Sequence, residues 1–329
     1  MDELAKRTGL PRTEPNERGG YNYWFREADR PHFSLGSEWN DLDGELAHME
    51  GTRRDFDVLC TTGPCSVLFG DLPAEEARDI CQIWNDEMAR AQSKYAGRLW
   101  AAALLPWQDT KLAIAELDRA VNQLGLVAVN VPGSIGRKNE FVDEPRLEPL
   151  YDRVQELGVP LYLHPTDAVF PDVMKGYNGA LYSALGRVFD VSTSAFRLVL
   201  SGIMERHSEM KVFMSHTGGA LAYQAGRMDK NASIKSLPEK PSTYLKRMYT
   251  DTVSPHALGV AFAIDFYGID HVLYGDDYPC WNPESSLDVF EEVSLNLSKE
   301  DQEKVYSSNA RRVFNLRTPA KAGREPATV

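Results

Sequence analysis

No stretch of about 18 apolar residues, the length a helix needs to cross a bilayer, occurs in the 329-residue chain. The polar opening from Met1 to Arg7 also lacks the apolar stretch of a secretory signal. A soluble, cytoplasmic protein without a membrane partner is expected. Positive charge is short as well: 36 Lys and Arg face 48 Asp and Glu, for a net charge of −12. That leaves no basic face to neutralise phosphates and argues against nucleic acid as a partner. Cysteine is scarce. Cys60, Cys65, Cys81 and Cys280 show no C-x-x-C spacing, so neither a zinc knuckle nor dithiol redox chemistry is indicated. Each reads as a reduced, small buried hydrophobe, except that Cys280 follows a turn and is placed to line a pocket. No G-x-G-x-x-G follows an early strand, which weakens a dinucleotide-binding reading.

What is present is a 43% hydrophobic chain, enough to bury a full core as one barrel-sized domain or two smaller ones. Short apolar runs centred near residues 58, 102, 128, 162, 213, 249 and 273 alternate with helical patterns. The helices are expected at Leu42–Met49, Pro73–Arg90, Leu112–Leu124, Leu147–Leu157, Ala184–Glu205, Leu221–Met228, Ala257–Tyr267, Leu287–Leu295 and Lys299–Phe314. Such alternation argues for a parallel sheet, and seven repeats favour a (β/α)8-like barrel one strand short over an open doubly wound sheet. The domain is placed at 41–317, after a polar segment 1–40 and before a disordered tail at 318–329.

Three of the apolar runs stop abruptly in residues able to do chemistry. Val159–His164 ends in His164, Lys211–Ser215 leads into His216 and a glycine pair, and Val272–Tyr274 leads through Gly275 to Asp276 and Asp277. In strand–helix proteins the loops after the carboxyl ends of parallel strands carry the site. Two imidazoles and a carboxylate are also the donors that a divalent metal takes when a position must stay open. In the amino-terminal segment no strand is expected. Its aromatics Tyr21, Tyr23, Trp24 and Phe25 read as packing against the domain, or else as a lid from which Arg26 and Arg30 reach for a substrate carboxylate. Trp281 joins these two arginines as a candidate substrate contact.

The pieces Asn85–Asp86, Tyr95–Leu99, Leu104–Pro106, Leu163–Pro165, Glu205–Val212, Ser215–Gly219 and Tyr274–Pro279 together resemble the amidohydrolase-2 family. The similar branch contains aminocarboxymuconate semialdehyde decarboxylase and the γ-resorcylate-type decarboxylases, and the resemblance runs from about Trp39 to Asn315. It implies a distorted TIM barrel, a divalent metal (zinc or manganese), and non-oxidative C–C lyase or hydrolase chemistry on small aromatic or unsaturated carboxylic acids. The expected assembly is a homodimer. His164 matches the family's strand-five metal ligand, and His216 the strand-six histidine that works as acid and base. Asp277 matches the strand-eight aspartate that binds the metal and moves protons. Asp276 stands where the family more often has serine or threonine, and two adjacent carboxylates repel and raise one pKa.

The family begins with an apolar strand ending in His-x-His, and this chain has neither; His32 and His48 stand alone. The expectation is an amino-terminally shortened chain or a branch without half of the metal site. A bound metal then sits on His164 and Asp277 with at most one more protein ligand. The gap left by the strand is expected to be covered by residues before Phe33 or by a partner subunit. The leading reading is a decarboxylase-type lyase. A hydrolase of an ester, lactone or amide, and a metal-free binding descendant, are the alternatives.

Overall fold

The computed structural model describes residues 5–24, 29, 31, 33–39, 41–60, 72–135, 140–165, 172–232, 237–280 and 283–316. Arg26, Arg30, His32, Cys65, Trp281 and the tail therefore lie outside the described residues. Strands β1 (Arg12–Pro15), β2 (Tyr21–Trp24) and β3 (Phe33–Leu35) form an antiparallel sheet in the order β1-β2-β3. Strands β4 (Asp57–Leu59), β5 (Leu99–Ala103), β6 (Ala128–Pro132), β7 (Leu161–His164), β8 (Val212–Met214), β9 (Tyr249–Asp251) and β10 (Val272–Leu273) form a second sheet. Each pairs in parallel with the next in sequence. The long helices are α1 (Leu42–Gly51), α2 (Ala74–Lys94), α3 (Thr110–Asp118), α4 (Glu148–Leu157), α5 (Arg187–Leu200), α6 (Leu221–Asn231), α7 (Ala257–Tyr267) and α8 (Pro283–Ser294).

Sequential parallel neighbours joined through helices curl the sheet into a barrel wall. The seven strands anticipated from sequence are all present, and among the described residues no hydrogen bonds join β4 to β10. The side chains explain the curl. Val129 and Val131 of β6, Leu161 and Leu163 of β7, and Val212 and Met214 of β8 are all buried outward, against Leu150, Val154 and Leu198 of α4 and α5. The alternate positions Ala128, Tyr162, Phe213, Tyr249 and Leu273 point inward and meet Phe314 as a plug. This period of two decides what faces the barrel axis above the plug. His164 stands two residues beyond Tyr162, Ser215 two beyond Phe213, and Asp251 two beyond Tyr249.

The amino-terminal sheet corrects the expectation that residues 1–40 hold no strand. Its strands are three or four residues long and carry polar positions, too short for alternation to show. Local turn chemistry makes them. The Asn16 side chain accepts from the backbone N–H of Arg18 and of Gly20 (3.0 Å each) and donates to the Leu35 carbonyl (2.8 Å). A Cβ at position 20 would fall 2.2 Å from that same carbonyl, so only glycine fits. Tyr23 then buries itself against Leu72, Ala77, Cys81 and Leu104.

This sheet therefore packs beside β5 and α2. Within the chain, the seam between β4 and β10 is spanned by α1 and by Arg54 just after it. The Arg54 guanidinium lies 3.0 Å from Asp57 of β4, 2.9 Å from Asp276 beyond β10 and 3.3 Å from Glu45 of α1. Three expected helices are interrupted, Lys299–Phe314 by a π-helical turn at Lys304–Ser308. Ala184–Glu205 breaks at Gly202, whose left-handed backbone (φ 79°) separates α5 from the single turn Ile203–Arg206. Leu112–Leu124 leaves α-geometry at Arg119, where the side chain is drawn to Glu116 (2.8 Å) and Asp86 (2.6 Å).

Candidate active site

His164 ends β7, His216 follows β8, and Asp277 follows β10 after the turn at Gly275. Their side chains meet. His164 Nε2 lies 3.6 Å from one Asp277 oxygen and His216 Nε2 3.5 Å from the other. The two imidazole rings are 5.3 Å apart at 63°. One donor atom from each of the three residues lies within 4.8 Å of the others. All three line one cavity of about 1400 Å³, which Tyr306 and Phe314 also line. Of the candidate substrate contacts, Arg26, Arg30 and Trp281 lie outside the described residues. Cys280 lines the cavity, Cys60 is half-buried on its wall, and Cys81 is a buried core residue of α2.

The backbone under this cluster is strained. His216 (φ 58°), Thr217 (φ 54°) and Asp277 (φ 57°) adopt left-handed conformations that cost a non-glycine residue about 1–3 kcal/mol each. A buried carboxylate holds the first two in place. Asp251 accepts the His216 N–H (3.0 Å), the Thr217 N–H (2.8 Å) and the Val253 N–H (3.0 Å). The next residue, Gly218, is also left-handed (φ 73°), and a Cβ there would lie 2.3 Å from the Tyr267 hydroxyl. Asp251 was not singled out from the sequence. The signal was its place at the end of β9 in register with the inward Tyr249.

The electrostatics separate the three residues. Burial pushes the Asp277 carboxyl up, but the two imidazoles of His164 and His216 beside it outweigh burial and hold it well below the usual range. Burial pulls His216 down, yet Asp277 beside it wins and its pKa is raised. For His164 burial prevails and the pKa is lowered. The pair therefore comprises one imidazole biased toward the charged form and one toward the neutral form.

Asp276 turns the other way, into the seam. It meets Arg54, and the His48 Nε2 lies 3.5 Å from it while the His48 ring stacks on Tyr278 (4.2 Å, 8°). Its pKa is raised, the direction expected of adjacent carboxylates, but the leading cause is burial, opposed by Arg54, rather than Asp277. Three carboxylates share the one Arg54 guanidinium. Burial, together with Asp57, pushes Glu45 up to about 9, so it keeps its proton at neutral pH.

The donor set fits a divalent metal. At the usual Zn–N and Zn–O length of about 2.1 Å, ligands of a tetrahedral ion are about 3.4 Å apart. The 3.5 and 3.6 Å separations of Asp277 from the two imidazole nitrogens are long for direct hydrogen bonds and close to that spacing. His164, His216 and Asp277 are thus a candidate metal triad.

Comparison with known proteins agrees with this geometry. The chain is 29% identical over 310 residues to γ-resorcylate decarboxylase of Rhizobium sp. (strain MTP-10005), covering 88% of this chain and 94% of that one. Among solved structures it is similar to 2,6-dihydroxybenzoate decarboxylase complexed with 2,6-dihydroxybenzoate (TM-score 0.77, 27% identity, 87% and 94% of the two chains). It is also similar to a dihydroxybenzoic acid decarboxylase from Polaromonas sp. JS666 with bound manganese and the inhibitor 2-nitroresorcinol (TM-score 0.76, 27% identity, 84% and 86% covered). The amidohydrolase family profile matches residues 40–316, and with most of its length so matched, the chain belongs to the amidohydrolase family.

Proposed function

We propose that the protein is a carboxy-lyase that removes carbon dioxide from a small aromatic or unsaturated carboxylic acid. The observation that carries this reading is the convergence of His164, His216 and Asp277 in one cavity, in a chain similar along 88% of its length to a γ-resorcylate decarboxylase. Tyr162 and Phe213, packed edge to face at 4.6 Å, line the wall of the same cavity and suit a planar ring.

Decarboxylation breaks one C–C bond. The electron pair stays on the ring carbon, which takes up one proton, and carbon dioxide leaves uncharged. The protein must therefore deliver a proton, and His216 is the group biased to carry one. Asp277 stays ionised, so its part is to orient the imidazolium and stabilise its charge rather than to donate. His164, biased toward neutrality, is suited to be a ligand. His164 and Asp277, with His216 within reach, would hold a divalent ion, which supplies Lewis-acid polarisation and orientation of the carboxylate. Manganese or zinc suits this donor set, and the manganese in a similar structure supports the first. The same reading takes the protein to act as a homodimer in the cytoplasm; exposed Tyr223 on α6 and Leu258 and Phe262 on α7 support a contact between copies.

Incubation with 2,6-dihydroxybenzoate and related aromatic acids, with Mn²⁺ or Zn²⁺ supplied, tests the proposal. Equimolar release of carbon dioxide and the decarboxylated ring is expected. Turnover of esters, lactones or amides without carbon dioxide would replace the lyase with a hydrolase, and binding of the acids without turnover would make the site a receptor.

A further inference from the structure

Arg187 opens α5 and faces the same cavity as the site residues. Its guanidinium lies 5.6 Å from the Phe33 ring centroid and 5.5 Å from that of Tyr182, and the two rings pack edge to face at 5.9 Å. Other arginines of this protein sit on carboxylates: Arg119 on Glu116, Arg146 on Glu140, Arg197 on Asp143 and Arg206 on Glu148. The Arg187 guanidinium makes no hydrogen bond or ion pair with any described residue. A half-buried guanidinium held by two ring faces keeps its fork of N–H donors free, and that fork matches a carboxylate in two-point geometry. The chain carries a net charge of −12, and Asp251, Asp276 and Asp277 all line the cavity. An anionic ligand therefore needs a local cation to enter.

Among the described residues no hydrogen bond or ion pair joins Arg187 to His164, His216 or Asp277, whose charged contacts are with one another. A guanidinium clamped on the carboxylate that is lost would also stabilise the ground state, because that charge moves onto the ring as the C–C bond breaks. We infer that Arg187 binds a second carboxylate, one that the product retains, so that the preferred substrate is an aromatic or unsaturated dicarboxylic acid whose ring lies in the cavity between Arg187 and the His216–Asp277 pair. This rests on the carboxy-lyase reading for the presence of a first carboxylate.

The test is a binding titration, which requires no turnover. Isophthalate and benzoate, which differ by one carboxylate, are titrated calorimetrically into the wild type, Arg187→Met and Arg187→Lys. The wild type is expected to bind isophthalate at least about tenfold tighter than benzoate; Arg187→Met should abolish that ratio and Arg187→Lys restore part of it. Melting temperatures close to the wild type would show that both variants fold. An unchanged ratio in folded Arg187→Met overturns the inference whether or not the protein releases carbon dioxide. A ratio that depends on Arg187 in a protein that decarboxylates nothing sustains the anion site and removes the lyase reading. With a substrate in hand, Arg187→Met should raise KM and leave kcat nearly unchanged, whereas a rise in kcat would place Arg187 on the leaving carboxylate and overturn the assignment.

Discussion

Asp276 and Asp277 are adjacent in sequence, yet their carboxyls are driven in opposite directions. One is buried in the seam against Arg54 with a raised pKa, and the other is held ionised between two imidazoles. Both lie beyond β10, in the turn after Gly275, where the left-handed backbone at Asp277 separates their side chains. The consequence for chemistry is specific to Asp277. Asp277→Asn preserves the shape but cannot carry the negative charge that keeps His216 protonated. Turnover should fall by about 10²–10⁴, the usual cost of disabling a general acid or base, while circular dichroism shows the wild-type fold. A folded variant with near wild-type activity would make Asp277 structural. His164, His216 and Asp277 were legible in the sequence because each ends an apolar run. Arg187 was not legible, because its place is set by packing against the rings of Phe33, distant in the sequence, and Tyr182, just before α5, and no local pattern encodes that contact.

At the scale of elements, the alternation of strand and helix was readable from α1 to the end of the barrel because most of its strand positions are buried apolar residues set between helical patterns. The antiparallel sheet of residues 12–35 was not, since its short strands depend on the Asn16 side chain and on the space that only Gly20 leaves. The turn after β8 shows how elements share the cost of strain. Its left-handed residues depend on Asp251 from β9, whose two oxygens accept three backbone N–H groups. In Asp251→Asn the amide NH2 would face a donor, leaving at least one of those N–H groups unpaired. The penalty for a buried unsatisfied group is about 1–3 kcal/mol, so a lower melting temperature is expected. Because the loosened turn carries His216, kcat should fall more than KM changes, and the pH profile of kcat should shift as His216 loses its fixed distance from Asp277. A variant that loses stability with an unaltered pH profile would limit Asp251 to folding.

The whole molecule is a curled sheet of seven parallel strands with an open seam, and its candidate metal site reflects that architecture. Sequence reading anticipated the missing strand, but it did not anticipate that Arg54, Asp57, Asp276 and Glu45 span the gap, because a cluster of three carboxylates on one guanidinium arises only once β4, β10 and α1 are brought together. That cluster occupies the seam with charges that are already paired, so among the described residues only His164, His216 and Asp277 are grouped to hold an ion. Three donors are the usual minimum for a catalytic metal, and His216 cannot ligate through Nε2 while that nitrogen carries the proton, so the proton-bearing state leaves only His164 and Asp277 of the grouped residues on the ion. Such a site should exchange its metal readily. Protein loaded with Mn²⁺ and dialysed against EDTA is expected to lose both the ion, by elemental analysis, and the carbon dioxide release, and to regain both when Mn²⁺ is returned. Retention of about one ion per chain would contradict a three-donor site and require a ligand from outside the described residues. His32 is the imidazole found there, so His32→Ala should then release the ion. If His32→Ala also retains it, the added donor is another residue outside the described ones, such as Glu27, Cys65, Asp71 or Asp167, or comes from a second copy of the chain, and only in the last case would dilution set the ion free.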